Sequence, residues 1–186
     1  MTDKARALDA WLVANARLGD KRAMAQLVER RGPRLLAHAT RLLGEREGAR
    51  DVVQEAWVEI MRGLKGLRNE HMFLPWALRI VSRRVAREIK RRQRGRRLDE
   101  AVRAEPVSAF ADEAGPGAVE AARVRRAIAA LPAAQAATVA LFYLEDLSVG
   151  EVATALDVPV GTVKTRLMHA RSKLRALLEG QKDGQT

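Results

Sequence analysis

The chain has 186 residues, a net charge of +11 from 34 Lys and Arg against 23 Asp and Glu, and no cysteine. That length holds one ordinary domain or two small ones, and the charge favours an anionic partner such as nucleic acid. The missing thiols exclude disulfides, cysteine nucleophiles and cysteine-ligated metals, while 4% aromatic residues and abundant alanine favour helices over sheets.

In chain order, Leu8, Trp11 and Leu12 share a face of a short opening helix. Asp20 precedes a run in which Ala23, Leu27 and Val28 recur at helical spacing. Gly32 and Pro33 disturb it, and Leu35, Leu36, Ala39, Leu42 and Leu43 resume it before a break at Gly44 to Gly48. The next helix is the cleanest: Val52, Val53, Ala56, Trp57, Ile60 and Met61 form one stripe, with Asp51, Gln54, Glu55 and Glu59 off it. After a loop around Gly63 to Asn69, a helix starting near Phe73 lines Phe73, Trp76, Ala77, Ile80, Val81, Val85 and Ile89 on one side, with Pro75 tolerated in its first turn.

The other side of that helix stacks Arg79, Arg83 and Arg87 at i, i+4 and i+8, and Lys90, Arg91, Arg92, Arg94, Arg96 and Arg97 extend the charge. Like charges at this spacing repel by a few tenths of a kcal/mol per pair. Only Glu88 compensates within the helix. A phosphate backbone is the simplest partner that offsets the repulsion.

Charge also divides the chain. Residues 1–98 carry 24 basic and 11 acidic residues, 99–122 carry 1 and 6, and 123–186 carry 9 and 6. The middle stretch holds Pro106, Gly115, Pro116 and Gly117 and reads as an acidic linker that buries little. The expected fold is all-α: two small helical domains, 1–98 and 123–186, joined by that linker. A basic module beside an acidic linker can also fold back on itself when no partner is present.

In the last module Ala127, Ile128 and Leu131 close one helix and Pro132 restarts the chain. Ala136, Val139, Ala140 and Tyr143 share the next face. Ser148 and Glu151 have capping-box spacing ahead of Val149, Val152, Ala153 and Leu156. Asp157, Val158 and Pro159 break the pattern, and a last helix opens with Gly161, Thr162, Val163, Lys164, Thr165 and Arg166. Two helices about a tight turn, the second basic, make a helix-turn-helix whose small polar N-terminal residues suit phosphates and base edges.

These blocks resemble the small, extracytoplasmic-function bacterial RNA polymerase sigma factors. The carriers are residues 49–64 (ARDVVQEAWVEIMRGL), 73–92 (FLPWALRIVSRRVAREIKRR) and 131–178, with its LP start, LS-x-x-EVA core, VPVGTVKTRL turn and trailing HARSKL. The resemblance implies a second-region module first and a fourth-region module last, with nothing resembling the third region between them. It assigns Asp51, Gln54 and Glu55 to docking on core RNA polymerase. It places Trp76, Arg79, Arg83, Arg87 and Arg91 near the melted minus-ten element, although Trp76 lies on the apolar stripe and reads as packing. It assigns Thr162, Lys164, Thr165, Arg166 and Arg171 to the minus-thirty-five element. Arg83 and Arg87 stand where the family commonly has asparagine and aspartate. Promoter DNA, core polymerase and an anti-sigma protein are the expected partners.

Other readings compete. Asp51 and Glu55 at i, i+4 form either a catalytic pair or an acidic docking face, and docking is the reading adopted. His38, His71 and His169 lie far apart without ligand spacing, and His38 reads as partly buried packing. No phosphate loop, dinucleotide glycine run or nucleophile elbow occurs. The expectation is a protein that is not an enzyme, with no cofactor, metal or small-molecule substrate. A stand-alone helix-turn-helix regulator and a sigma-like decoy for an anti-sigma protein are the alternatives. No apolar run nears the roughly 20 residues of a membrane span, so a soluble cytoplasmic protein is expected.

Overall fold

Asp20 accepts hydrogen bonds from the backbone N–H groups of Arg22 and Ala23 and so caps α2, Lys21–Leu43. Gly44, at φ +80°, closes α2 by donating its N–H to Thr40. The helix runs unbroken through Gly32 and Pro33, where the sequence pattern suggested a disturbance. Pro33 points to solvent while Leu27 and Leu35 on either side are fully buried. Burying each leucine contributes about 1.5–3 kcal/mol, enough to offset the roughly 3 kcal/mol of an interior proline. The computed structural model describes residues 3–96 and 118–179.

The opening helix α1, Asp3–Arg17, turns a different face inward than its apolar residues suggest. Leu12 and Val13 are buried, whereas Leu8 and Trp11 are exposed. The buried row includes Asp9, whose carboxylate is paired with Arg31 and Arg30 of α2. Burial, then Arg34 alongside, pushes the Arg31 guanidinium down to about 10, with Glu145 opposing. A buried acid thus determines the helix face, which hydrophobicity alone does not reveal.

Helix α3, Arg46–Gly63, buries Val52, Val53, Ala56, Trp57 and Ile60, as its stripe requires, but leaves Met61 exposed at its rim. Single 3₁₀ turns at Leu64–Gly66 and Glu70–Met72 lead into α4, Phe73–Arg96. Phe73 packs against Trp57 and Trp76, ring centroids 6.5 and 6.2 Å away. Trp76 is half-buried against the core, as packing requires.

The second helical cluster starts at α5, Ala118–Ala129, so helix begins inside the stretch read as linker to 122. Residues 97–117, which hold the rest of that linker, lie outside the described residues. Helix α6, Ala133–Val139, passes into a π-helical turn over Ala140–Leu144. The extra residue of that turn rotates the apolar face, so Tyr143 is exposed instead of sharing the buried face of Val139 and Ala140. Ser148 and Glu151 form the expected capping box of α7, Val149–Leu156. Asp157, at φ +56°, ends α7 and turns the chain into α8, Val160–Glu179.

The two clusters share one apolar core. Ser82 of α4 donates to the carbonyl of Ala155 in α7 (2.9 Å) and lies 2.9 Å from Nε2 of His38. With the hydroxyl hydrogen committed to Ala155, Ser82 accepts from His38 Nε2–H, which fixes the neutral tautomer. Around this chain, Arg34 and Arg41 of α2 face the buried Glu145 carboxylate (3.4 and 3.7 Å). Arg79 of α4 pairs with Asp157 (2.8 Å), and Arg6 of α1 reaches Glu151 and the Asp146 carbonyl.

His38 is fully buried, beyond the partial burial its sequence position suggested. Burial, then the Arg41 charge, pushes its pKa down to about 3. A histidine depressed in the fold leaves stability intact above the unfolded value of about 6.5 and removes it as pH falls toward the folded value. Unfolding free energy should therefore drop by about 2 kcal/mol between pH 7 and pH 5. The depressed carboxylates Glu45 and Glu88 act only below this window. Urea denaturation of His38→Gln, which keeps a donor for Ser82, should show less than half of that drop. An undiminished drop in the variant would assign the pH dependence elsewhere.

Candidate nucleic-acid interface

One face of α3 is already committed to the core, so its polar residues must point outward. Asp51, Gln54 and Glu55 are all exposed, and Glu55 and Glu59 lean across to α4. Arg84 bridges them, contacting Glu55 at 2.5 Å and Glu59 at 2.9 Å, and Arg87 lies 3.9 Å from Glu59. The arginine helix therefore has acidic neighbours besides Glu88, which a reading of α4 alone did not show. Asp51 and Glu55 line an open groove with Arg84, Arg87, Glu88 and Arg91.

Six arginines of α4 fall into three sets, and Arg94 is exposed beyond them. Arg83, Arg87 and Arg91 are exposed along the outer row. Arg84 and Arg92 are half-buried braces: Arg92 bonds Glu88 and Glu45, both at 2.7 Å, and Gly48 leaves room for its guanidinium against the start of α3. Arg79 leaves the expected row and pairs with Asp157 of the other cluster. Hydrogen bonds from Arg91 and then Arg92 hold the Glu88 carboxyl down at about 2. Exposed pairs of this kind contribute roughly 0–1 kcal/mol each, so they orient the arginines without quenching their field. The signal for Arg84 was present in sequence as Glu55 and Glu59 at i, i+4, but only the α3–α4 packing brings them to it.

The second basic surface is the start of α8. Val163, Leu167 and Ala170 face inward. Lys164 and Thr165 are exposed, and Thr162 and Arg166 are half-buried beside them. Thr165 donates back to the Gly161 carbonyl (3.0 Å), a bond within one turn of the helix. Arg171 is exposed, with its Nε on the Tyr143 hydroxyl (2.9 Å) and its guanidinium 5.9 Å from that ring centre. Tyr143 thus supports a candidate DNA residue, a role its place in the apolar pattern concealed. The N-terminal end of a helix also favours anions through its free N–H groups.

The candidate residues accordingly form three patches: the carboxylates of α3, the outer arginine row of α4, and the opening turns of α8 with Arg171. Arg79 stands apart from the outer row, at the junction of the two clusters. Among the described residues no group of three or more His, Asp or Glu could hold a metal ion, and no helix is long and apolar enough to cross a membrane.

Comparison with known proteins matches the family model of sigma-70 region 2 to residues 27–95 and that of sigma-70 region 4 to residues 121–174. The chain is 32% identical over 186 residues to the RNA polymerase sigma factor NccH of Alcaligenes xylosoxydans xylosoxydans, covering 96% of this chain and 98% of that one. It is 33% identical over 172 residues to the ECF RNA polymerase sigma factor SigM of Mycobacterium tuberculosis, covering 91% and 84%. The solved structure of CnrH in complex with the cytosolic domain of CnrY superposes with a TM-score of 0.63 at 30% identity, over 93% of this chain and 98% of that one.

The outer row makes a measurable claim about salt. Each phosphate contact on a single strand contributes roughly 0.7 to the slope of log K against log salt. Replacing Arg83 and Arg87 together by alanine should lower that slope by about 1.4 for a single-stranded oligonucleotide, measured by fluorescence anisotropy. An unchanged slope would exclude this row from nucleic-acid contact.

Proposed function

Because the chain belongs to the ECF family of RNA polymerase sigma factors, we propose that it docks on core RNA polymerase and directs the enzyme to promoters. Docking falls to Asp51, Gln54 and Glu55. They are the polar side of a helix whose other side buries Val52, Val53, Ala56, Trp57 and Ile60, so they form a rigid acidic surface with no internal role beyond the Glu55–Arg84 pair. This is the observation that carries the reading. Rigid charge offered to a partner sets orientation and rate of association without an ordering cost.

Promoter recognition then divides between the two basic patches. Arg83, Arg87 and Arg91, with Arg79, meet the melted minus-ten strand, where charge rather than base-edge contact dominates. Thr162, Lys164, Thr165, Arg166 and Arg171 meet duplex DNA at the minus-thirty-five element, with the start of α8 in the major groove. Arginine at positions 83 and 87, where the family commonly has asparagine and aspartate, shifts that contact toward phosphates. Phosphodiester synthesis stays with the polymerase. A relative named in complex with the cytosolic domain of a second protein supports a protein partner here as well, and the family resemblance makes an anti-sigma protein the expected one. Work in complex with core polymerase places the protein in the cytoplasm.

Two double variants separate the jobs. Asp51→Arg with Glu55→Arg reverses the docking charge and should reduce affinity for core polymerase at least 100-fold while leaving the helical circular dichroism unchanged. Lys164→Glu with Arg166→Glu should leave polymerase binding within twofold and remove the upstream footprint of the reconstituted holoenzyme. A stand-alone regulator would instead bind its promoter without polymerase and ignore the first pair of changes.

A further inference from the structure

We propose that Arg84 is a positioning residue for polymerase docking: it belongs to the basic helix α4 but serves the acidic surface of α3 instead of nucleic acid. The inference rests on the docking reading of Asp51, Gln54 and Glu55. Exposure already separates the arginines of α4. The Arg84 side chain is 22% exposed, against 61% for Arg87 and 78% for Arg91. A side chain turned this far inward offers little to a phosphate backbone.

Its donors are committed to two carboxylates of one helix. Nε and Nη2 both lie 2.9 Å from Oε2 of Glu59, and Nη1 donates to Oε2 of Glu55 at 2.5 Å. Glu55 and Glu59 are four residues apart and stand on one face of α3, where like charges repel. The planar guanidinium offsets that repulsion and spans both groups at once, which the point charge of a lysine does not. Glu59 is half-buried and anchors the fork, while Glu55 is exposed and is the group the fork holds in place. An ionised carboxylate has about four acceptor sites. A bond at Oε2 therefore leaves Oε1 for the donor of a partner.

The frame around this fork is fixed as well. Arg92 ties Glu45, the cap of α3, to Glu88 of α4, both at 2.7 Å, and Glu45 also accepts from the Gly48 N–H at 3.2 Å. Helix α3 is thus held on α4 at its start and in its middle. A lone surface pair contributes little, whereas a fork shared by two carboxylates is a network of restricted geometry. A free glutamate must be ordered when a partner binds, which weakens affinity by a factor of roughly 2 to 12 per side chain. With Arg84 in place, Glu55 is ordered before the polymerase arrives.

The test is a double-mutant cycle on the full chain, read as affinity for core RNA polymerase. Arg84→Met keeps the apolar stem and removes the fork. It should lower affinity about fivefold with the helical circular dichroism unchanged. In a Glu55→Ala background the same change should alter affinity by less than twofold, because Arg84 acts through Glu55. An equal fall in both backgrounds would assign Arg84 to the general packing of α3 on α4 and overturn the proposal. A rise in affinity would mean that Arg84 masks Glu55, and would overturn it too. Arg84→Lys guards against loss of the fold: it keeps the charge and should still bind at least threefold more weakly than the native chain. Native affinity in this variant would show that charge suffices without the fork. For a single-stranded oligonucleotide, Arg84→Met should leave the slope of log K against log salt unchanged, whereas a fall of about 0.7 would place Arg84 on a phosphate. Undiminished polymerase affinity in Glu55→Ala alone is a separate result, since it overturns the docking reading itself.

Discussion

Helix α4 has to bury two faces while keeping a third one charged, and the rest of the molecule is arranged around that demand. Phe73, Ala77 and Ile80 belong to the core with α2 and α3, Leu74 and Leu78 to the side toward α7. What remains outward is mostly basic: Arg83, Arg87, Lys90, Arg91 and Arg94 are exposed, with Ala86 and Gln93 between them, so the packing concentrates the charge on one side. The neighbouring acids on α3 are positioned by the same packing, which explains why the acidic surface of α3 and the basic row of α4 adjoin.

The contact between the clusters is held in register by polar groups inside an apolar surface. Apolar contact alone is tolerant of sliding, whereas the His38–Ser82–Ala155 chain requires one alignment of α2, α4 and α7. The cost is a neutral imidazole that cannot be charged cheaply and a Glu145 carboxylate that depends on two arginines of another helix. Removing one partner of such a buried set is far more damaging than replacing the set by apolar residues. That asymmetry makes the interface specific. Because Ser82 reaches the Ala155 carbonyl and Glu145 reaches Arg34 and Arg41 only when the clusters are together, it also favours a closed state over a loosely associated one.

The turn residues follow the same logic. Asp157 tolerates a left-handed backbone because a short polar side chain can bond locally, and it also presents a carboxylate to Arg79 at the point where the chain turns into α8. One residue ends a helix, fixes the angle of the helix-turn-helix and couples it to the other cluster. Tyr143, turned outward by the π-helical turn, supports Arg171 in the same economical way.

Much was legible in the sequence alone. Periodicity marked the helices, Asp20 and the Ser148–Glu151 box marked two of their starts, and the off-stripe position of Asp51, Gln54 and Glu55 marked their exposure. These are local properties: spacing along a helix and hydrogen bonds within one turn depend on no distant residue. The continuity of α2 through Pro33, the inward face of α1 built on Asp9, the partners of Arg79 and Arg84, and the full burial of His38 were decided by tertiary structure. Each depends on a charge or a surface from another helix, because burial and pairing energies belong to two segments at once, and a row of letters states only one of them.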